Sequence, residues 1–175
     1  MNEWLEKIKQ LFVPKKVVRS IKEIDFAHLK SLGINSLILD IDDTLIPREV
    51  NDIYPDIFEW VVSRKQEGFK LCLTSNSRHP LRVNYIGQTL GIPALHLSFK
   101  PLPMAFHRSL KILQASPAET AMIGDQLFMD VLGANLANIY SIFVDHGKPE
   151  SIWLRQLMRQ AEQWVLTKLG VAGRT

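Results

Sequence analysis

The chain has one cysteine in 175 residues and no apolar run long enough to cross a bilayer. A single cysteine excludes an intrachain disulfide, and the apolar surroundings of Cys72 predict a buried structural thiol in a reducing compartment. A spanning helix needs about 18 uninterrupted apolar residues. The first residues also lack the apolar core and cleavage site of a secretory signal. We therefore expect a cytoplasmic protein. It could also be bound peripherally to the inner face of the membrane.

The length and composition predict one globular domain over residues 1–175. The chain is 46% hydrophobic and 22% charged, which is ordinary for a globular protein. Its length allows a substantial core but is too short for two ordinary domains.

The net charge of +3 is unevenly distributed. Residues 1–22 carry six Lys or Arg against two Glu, and residues 151–175 carry four against one. The remaining stretch, 23–150, has 11 basic and 15 acidic residues and is therefore at −4. Because the body is mildly acidic, we expect no nucleic-acid binding through it.

Short apolar runs alternate with longer helix-like segments from residue 36 onward. This order is typical of a parallel sheet covered by helices. It predicts an α/β fold, a Rossmann-like three-layer α/β/α arrangement with a five-stranded parallel sheet. The predicted strands are 36–41, 70–74, 94–97, 120–123 and 140–144. The predicted helices lie near 54–66, 81–90, 104–113 and 128–136.

Three carboxylates and a hydroxyl lie at the end of the first of these strands and directly after it, at Asp40, Asp42, Asp43 and Thr44. Carboxylates crowded at the end of a buried strand repel one another and lose hydration, so they are normally kept where a cation or a reaction uses them. Asp40 and Asp42 alternate along an extended backbone and can face one crevice. A turn capped by Asp43 or Thr44 is the structural alternative, but it leaves the other carboxylates unexplained.

Further polar residues follow the later strands. Ser75 and Asn76 offer donors suited to phosphate oxygens, and Lys100 is a single ammonium fixed by the proline after it. Gly124 and Asp125 open the last helix, where Asp125 is either a helix N-cap or an oxygen ligand suited to Mg²⁺. Ligand sites in open parallel sheets lie beyond the carboxyl ends of the strands, so these residues are expected at one edge.

The order Asp40-x-Asp42-x-Thr44, Ser75, Lys100, Gly124-Asp125 and Asp130 resembles the haloacid dehalogenase (HAD) superfamily over residues 36–145. The resemblance implies that Asp40 is a nucleophile that becomes an aspartyl phosphate and that Asp42 is the acid and base. It implies Mg²⁺ held by Asp40, the Asp42 carbonyl and Asp125. Ser75, Asn76 and Lys100 would bind phosphate, and Lys100 would also act in catalysis by offsetting negative charge together with Mg²⁺. Thr44, Gly124 and Asp130 would support the site.

The intervals between the motifs are too short for the superfamily's lid domains. Residues 45–69 are accounted for by a loop and one helix, and 76–99 is equally short. A site without a lid favours bulky or surface-bound phosphomonoesters. The chain further resembles the capless family IIIA phosphatases, the YqeG-like and phosphatidylglycerophosphate phosphatase-like proteins. That resemblance implies a phospholipid head group as the substrate. A phosphoprotein or nucleotide phosphatase, or a phosphate-binding regulatory module, are the alternatives.

Both ends of the chain have amphipathic helical patterns, at about 1–12 and 151–169. Each combines an apolar stripe containing tryptophan with flanking Lys or Arg, which suits an anionic membrane surface. Packing of the same stripe on the protein's own core is the alternative. The oligomeric state and the role of Asp43 are left open.

Overall fold

Six parallel strands form the sheet in the part of the chain that the computed structural model describes, namely residues 7, 9–147, 160, 162–165 and 167–168. The strands are β1 (Lys16–Val18), β2 (Ser36–Leu39), β3 (Lys70–Thr74), β4 (Ala94–Leu95), β5 (Thr120–Gly124) and β6 (Tyr140–Val144). Their order is β1-β6-β5-β2-β3-β4, and every neighbouring pair is parallel. The predicted α/β class is confirmed.

The prediction of five strands was one too few. The additional strand, β1, pairs with β6 at the edge of the sheet through Lys16, Val17 and Val18. Three residues with one charged member give almost no period-two signal, so a strand of this length is recognised only from its partner. The pairing brings the N-terminal segment onto the sheet and places its chain beside the last strand.

Helices cover both faces of the sheet. They are α1 (Phe26–Ser31), α2 (Pro55–Gln66), α3 (Pro80–Leu90), α4 (Pro103–Leu113) and α5 (Leu132–Leu136). Three of them begin at a proline, whose fixed φ suits the first helical position and whose missing N–H is not needed there. The helix predicted near 128–136 is divided into a π-helical turn, Leu127–Val131, followed by α5.

The two faces of β2 enter different cores, as the period of a strand requires. Leu37 and Leu39 pack with residues of α1, α2 and α3, including Phe26 and Trp60. Ile38 packs on the other face with residues of α4 and α5, including Phe106. All three β2 side chains are fully buried. The predicted three-layer arrangement is therefore present.

Much of both predicted terminal helices lies outside the described residues, including 1–6, 8, 148–159 and 169–175. The described parts contact the protein itself. Phe12 packs edge-on against Phe128 with ring centroids 5.8 Å apart, and Val165 packs against a buried cluster that includes Val131 and Phe143. Among the residues described, no helix has both the length and the apolar character needed to cross a membrane. The single-domain organisation of 1–175 stays a prediction.

Candidate active site

Strand register brings the predicted site residues to one edge of the sheet. Leu39 of β2 is paired with Leu73 of β3 on one side and with Ile123 of β5 on the other. The three strands therefore end at the same level, and the residues that follow them meet. The resulting cleft has a volume of about 460 Å³. Its lining comprises Asp40, Asp42, Arg48, Ser75, Asn76, Ser77, Arg78, His79, Arg82, Lys100 and Gln126.

A buried ammonium joins two carboxylates at the base of the cleft. Lys100 Nζ lies 2.5 Å from Asp40 Oδ1 and 2.7 Å from Asp130 Oδ1, and all three residues are at most 5% exposed. Burial lowers the pKa of Lys100, but Asp130 and Asp40 outweigh it, so that the pKa is raised above its ordinary value. Lys100 thus carries a positive charge that is fixed in position.

The negatively charged forms of Asp40 and Asp130 are disfavoured, so the pKa of each carboxyl is raised. Burial raises the pKa of Asp40 from 3.8 to about 7, with Asp130 and Asp42 adding to the rise and Lys100 opposing it. Burial also raises the pKa of Asp130, with further repulsion from Asp125. Both shifts come first from burial, and the neighbouring carboxylates add to them. One ammonium does not balance the carboxylates gathered here.

This excess of charge fits a divalent cation. Carboxylate oxygens of Asp40, Asp125 and Asp130 lie within 4.8 Å of one another, and all three side chains are buried. Asp40 Oδ2 is buried and has no hydrogen-bond partner within the described residues. Mg²⁺ prefers oxygen ligands and usually takes only one or two carboxylates. Asp40 and Asp125 can supply these two carboxylates, so the residues present suit Mg²⁺. Asp130, which was expected only to support the site, lies in the same carboxylate group and is paired with Lys100.

Asp42 is held by an arginine that the sequence did not reveal. Arg82 Nη1 donates to Asp42 Oδ1 at 2.7 Å, while its other nitrogens donate to Asn51 Oδ1 at 3.1 Å and to the Val50 carbonyl at 3.0 Å. Arg82 thereby ties α3 to the loop after β2 and fixes the Asp42 carboxylate. It comes 40 residues after Asp42 within a helical segment, and no local pattern distinguishes it from a surface arginine.

Asp43 lies at a backbone turn in the same loop. Its φ is 62°, in the left-handed region that Asp and Asn adopt more readily than other side chains. Its carboxylate accepts a hydrogen bond from the Arg48 N–H at 3.2 Å. Thr44 is buried, and its hydroxyl has no hydrogen-bond partner in the described part of the chain. These contacts make Asp43 a turn residue beside the cleft.

The side chain of Asn76 is engaged by the loop that carries Lys100. Asn76 Oδ1 accepts hydrogen bonds from Ser98 Oγ and the Lys100 N–H, both at 2.8 Å, and its Nδ2 donates to the Lys100 carbonyl at 3.0 Å. Ser75 is 1% exposed and its Oγ accepts from the Ser77 N–H at 3.0 Å. Asn76 therefore positions Lys100, and its expected contact with phosphate stays a prediction, as does that of Ser75.

Gly124 is required by the close approach of Asp130. A Cβ built on Gly124 would lie 2.3 Å from Asp130 Cγ and 2.6 Å from Asp130 Cβ. Asp130 Oδ2 in turn accepts a hydrogen bond from the Gln126 N–H at 3.1 Å, which holds the turn between β5 and the π-helical turn. A side chain at position 124 would displace the carboxylate that pairs with Lys100.

Comparison with known proteins agrees with this architecture. Residues 99–172 match a family described as HAD-hydrolase-like. The chain is 30% identical to the probable phosphatase YqeG of Bacillus subtilis over 162 residues, which cover 93% of this chain and 94% of that protein. It is 29% identical to the mitochondrial phosphatidylglycerophosphatase GEP4 of Saccharomyces cerevisiae over 129 residues, 66% of this chain and 69% of that one.

Solved structures share the fold at low sequence identity. A protein from Listeria monocytogenes serotype 4b has a TM-score of 0.53 at 24% identity, over 63% of this chain and 78% of that one. The cobalt-bound deoxy-D-mannose-octulosonate 8-phosphate phosphatase YrbI of Haemophilus influenzae has a TM-score of 0.51 at 15% identity, over 81% and 92%. From the likeness to YqeG over nearly its whole length, the chain belongs to the HAD superfamily and is a HAD-type phosphatase.

Proposed function

We propose that this protein is a Mg²⁺-dependent phosphomonoester hydrolase that acts through an aspartyl phosphate on Asp40 and converts phosphatidylglycerophosphate to phosphatidylglycerol. The observation that carries the reaction type is the geometry around Asp40. One of its oxygens is paired with Lys100, and the other is buried without a hydrogen-bond partner among the described residues. Such an oxygen is available to a metal ion or to an electrophile.

In the first step, a carboxylate oxygen of Asp40 attacks the phosphorus atom. The bond between that oxygen and phosphorus forms as the bond from phosphorus to the substrate's alcohol oxygen breaks. The departing oxygen takes the bonding pair, and Asp42 delivers a proton to it. Lys100 offsets negative charge beside Asp40, because its ammonium lies 2.5 Å from the Asp40 oxygen.

In the second step, Asp42 takes a proton from water as the water oxygen attacks phosphorus. The bond to Asp40 breaks, and inorganic phosphate leaves with Asp40 restored. Arg82 holds Asp42 toward the cleft in both steps through the contact at 2.7 Å. Mg²⁺, when bound by Asp40, Asp125 and the Asp42 carbonyl, would offset the charge of the phosphoryl oxygens.

The proposed substrate rests on sequence similarity to a relative and on the cationic side chains of the cleft. The relative GEP4 is named as a phosphatidylglycerophosphatase and shares 29% identity. Beyond Lys100, the cleft is lined by Arg48, Arg78 and His79. Phosphatidylglycerophosphate carries a phosphodiester as well as its terminal phosphomonoester, so further cations near the site suit its second anionic group.

Phosphate release from a substrate panel tests this function. Vesicles bearing phosphatidylglycerophosphate are compared with a nucleoside monophosphate and a phosphopeptide, each with Mg²⁺ and with chelator. We expect Mg²⁺-dependent release from the vesicles, lost in Asp40→Asn and kept in Asp52→Asn, which removes an exposed carboxylate instead. Turnover of the nucleotide or the peptide without turnover of the lipid would show that the lipid assignment is wrong.

The covalent intermediate has its own test. Asp42→Asn removes the acid of the first step and the base of the second. With an aryl phosphate, whose leaving group needs no proton, the first step still proceeds, so phosphate is expected to accumulate on the protein. Mass spectrometry of the quenched reaction should place that phosphate on Asp40. Accumulation on another residue, or none with an aryl phosphate that the wild-type protein turns over, would contradict the assigned nucleophile.

A further inference from the structure

Half of the site is built from a stretch of chain that contains no acidic residue. Residues 68–118 have six Lys or Arg, three His and no Asp or Glu. This stretch runs from β3 through α4 and includes Ser75, Asn76 and Lys100. The acidity of the body is therefore confined to other segments, and the cleft has one side that is free of its own carboxylates.

Seven large apolar side chains are exposed within residues 68–118, and we call the five that lie on or next to the loops around Ser75 and Lys100 the apolar rim. The rim consists of Leu81 (85% exposed), Leu97 (37%), Phe99 (54%), Leu102 (54%) and Met104 (53%). Leu81 follows the loop 75–80, and the other four lie on or next to the loop that carries Lys100. Single exposed apolar residues are normal, but a group beside a functional cleft marks an interaction surface.

Hydrogen bonds join the two loops of the rim. The Leu97 N–H donates to the Ser77 carbonyl at 3.2 Å, and the Ser98 N–H donates to the Ser75 carbonyl at 3.0 Å. Asn76 adds its contacts with Ser98 and Lys100. The apolar side chains are therefore presented by the same framework that positions the cleft residues.

The backbone of this loop holds apolar and polar side chains on opposite sides. Leu97 and Phe99 have φ of 45° and 64°, values that are costly for bulky side chains. Between and after them, Ser98 and Lys100 are buried, at 0% and 5% exposure. The alternation sends two polar side chains inward and two apolar ones to solvent. Gly or Asn would adopt these φ values at lower cost.

We propose that the apolar rim is a docking surface for an anionic lipid bilayer and that it brings lipid phosphomonoesters to the cleft. This inference rests on the proposed function. The rim supplies side chains that can enter the interface between head groups and acyl chains. Arg78 and Arg108 are exposed on the same acid-free stretch and complement a negative membrane surface. The buried catalytic groups then lie next to the contact, where a lipid phosphate is presented.

Charge also argues against a second copy of the chain as the occupant. A symmetric pair joined through this face would bring two acid-free basic stretches together. Opposite charges are absent from residues 68–118 and could not offset that repulsion. An anionic bilayer meets no such cost.

The test measures sedimentation with vesicles of phosphatidylcholine alone and of phosphatidylcholine with phosphatidylglycerol, without any phosphomonoester substrate. The test variant is Leu97→Asn/Phe99→Asn. Asparagine tolerates positive φ, so it removes the apolar groups without adding backbone strain. The control is Leu32→Asn/Leu136→Asn, which removes side chains of similar exposure (47% and 42%) before the amino ends of β2 and β6.

We expect wild type and control to bind the anionic vesicles and the test variant to bind them on the order of tenfold more weakly. Turnover of soluble p-nitrophenyl phosphate should stay equal in all three, while turnover of vesicle-borne lipid falls in the test variant alone. Equal vesicle binding by test variant and wild type, or no binding by wild type, overturns the docking surface. Loss of self-association rather than of vesicle binding, measured by light scattering, overturns it as well.

Vesicle binding is measured without turnover, so the two proposals can fail separately. A protein that binds through the rim but does not hydrolyse phosphatidylglycerophosphate refutes the substrate and keeps the surface. A protein that hydrolyses the lipid with equal efficiency in the test variant refutes the surface and keeps the substrate.

Discussion

Replacing the proposed nucleophile should stabilise the metal-free protein while it removes activity. Asp40 is 4% exposed and lies beside the carboxylates of Asp130 and Asp42. Burial raises its pKa from 3.8 to about 7. A raised carboxyl pKa means that stability is fully present below about pH 4 and is lost as the pH rises through about 7. The loss at high pH corresponds to about 4 kcal/mol at most.

Asp40→Asn removes this penalty because the amide is neutral at every pH in the range. Its oxygen can still accept a hydrogen bond from Lys100, which also keeps its ion pair with Asp130. We expect the variant to gain up to about 4 kcal/mol at about pH 8 in the presence of chelator, and less than half of that at about pH 5. Phosphatase activity should fall by at least about a thousandfold.

Chemical unfolding in guanidinium, followed by circular dichroism at both pH values, measures the gain. Asp52→Asn controls for the loss of a negative charge at an exposed site. Saturating Mg²⁺ should reduce the difference, because the cation offsets the same charge in wild type. A variant that is less stable than wild type at the higher pH without metal would show that the pair with Lys100 outweighs burial, and the reasoning would be wrong.

Three further outcomes are expected from the same geometry. Mg²⁺ at about 100 times its dissociation constant should stabilise wild type by about 3 kcal/mol, which corresponds to a rise in Tm of roughly 5–10 °C. The rise in Tm should be much smaller for Asp125→Asn, and equal rises would place the ion elsewhere. Arg82→Ala should slow hydrolysis of alkyl phosphates by about ten- to a hundredfold and hydrolysis of aryl phosphates less, because Asp42 loses its partner at 2.7 Å. Arg82→Lys should recover part of the rate. An equal loss of rate for both ester classes would show that Arg82 does not position Asp42. Cys72 should react with iodoacetamide only after denaturation, because burial raises its pKa to about 11 and leaves about one thiolate per thousand at about pH 8. Rapid alkylation of the native protein, measured by intact mass, would contradict this expectation.

The regular part of the fold could be read from local patterns. The strands β2, β3, β5 and β6 are four or five residues long and almost entirely buried, so each is a continuous apolar run bounded by polar residues. β1 could not be found in this way, because its identity depends on hydrogen bonds to β6. The π-helical turn at Leu127–Val131 was also missed, since its sequence has the apolar spacing of an ordinary helix.

The sequence indicated which residues lie at the candidate site, but not most of the contacts between them. Asp40, Ser75, Lys100 and Asp125 each lie at or just after the end of a predicted strand, and parallel strands must end at one edge. Nothing in the sequence places Asp130 2.7 Å from Lys100 or assigns the Asn76 amide to the Lys100 backbone. These distances depend on how two loops close over the same strand ends.

The sequence by itself determined the class of the fold, the edge of the sheet at which the candidate site lies, and the residue types available there, because strand period and motif order are local properties. The tertiary structure alone decided the electrostatic state of the site and its surroundings. Burial and the sharing of one ammonium between the carboxylates of Asp40 and Asp130 arise only when distant segments meet. The recruitment of Arg82 to Asp42, and the exposure of the apolar rim beside Lys100, depend on the same packing.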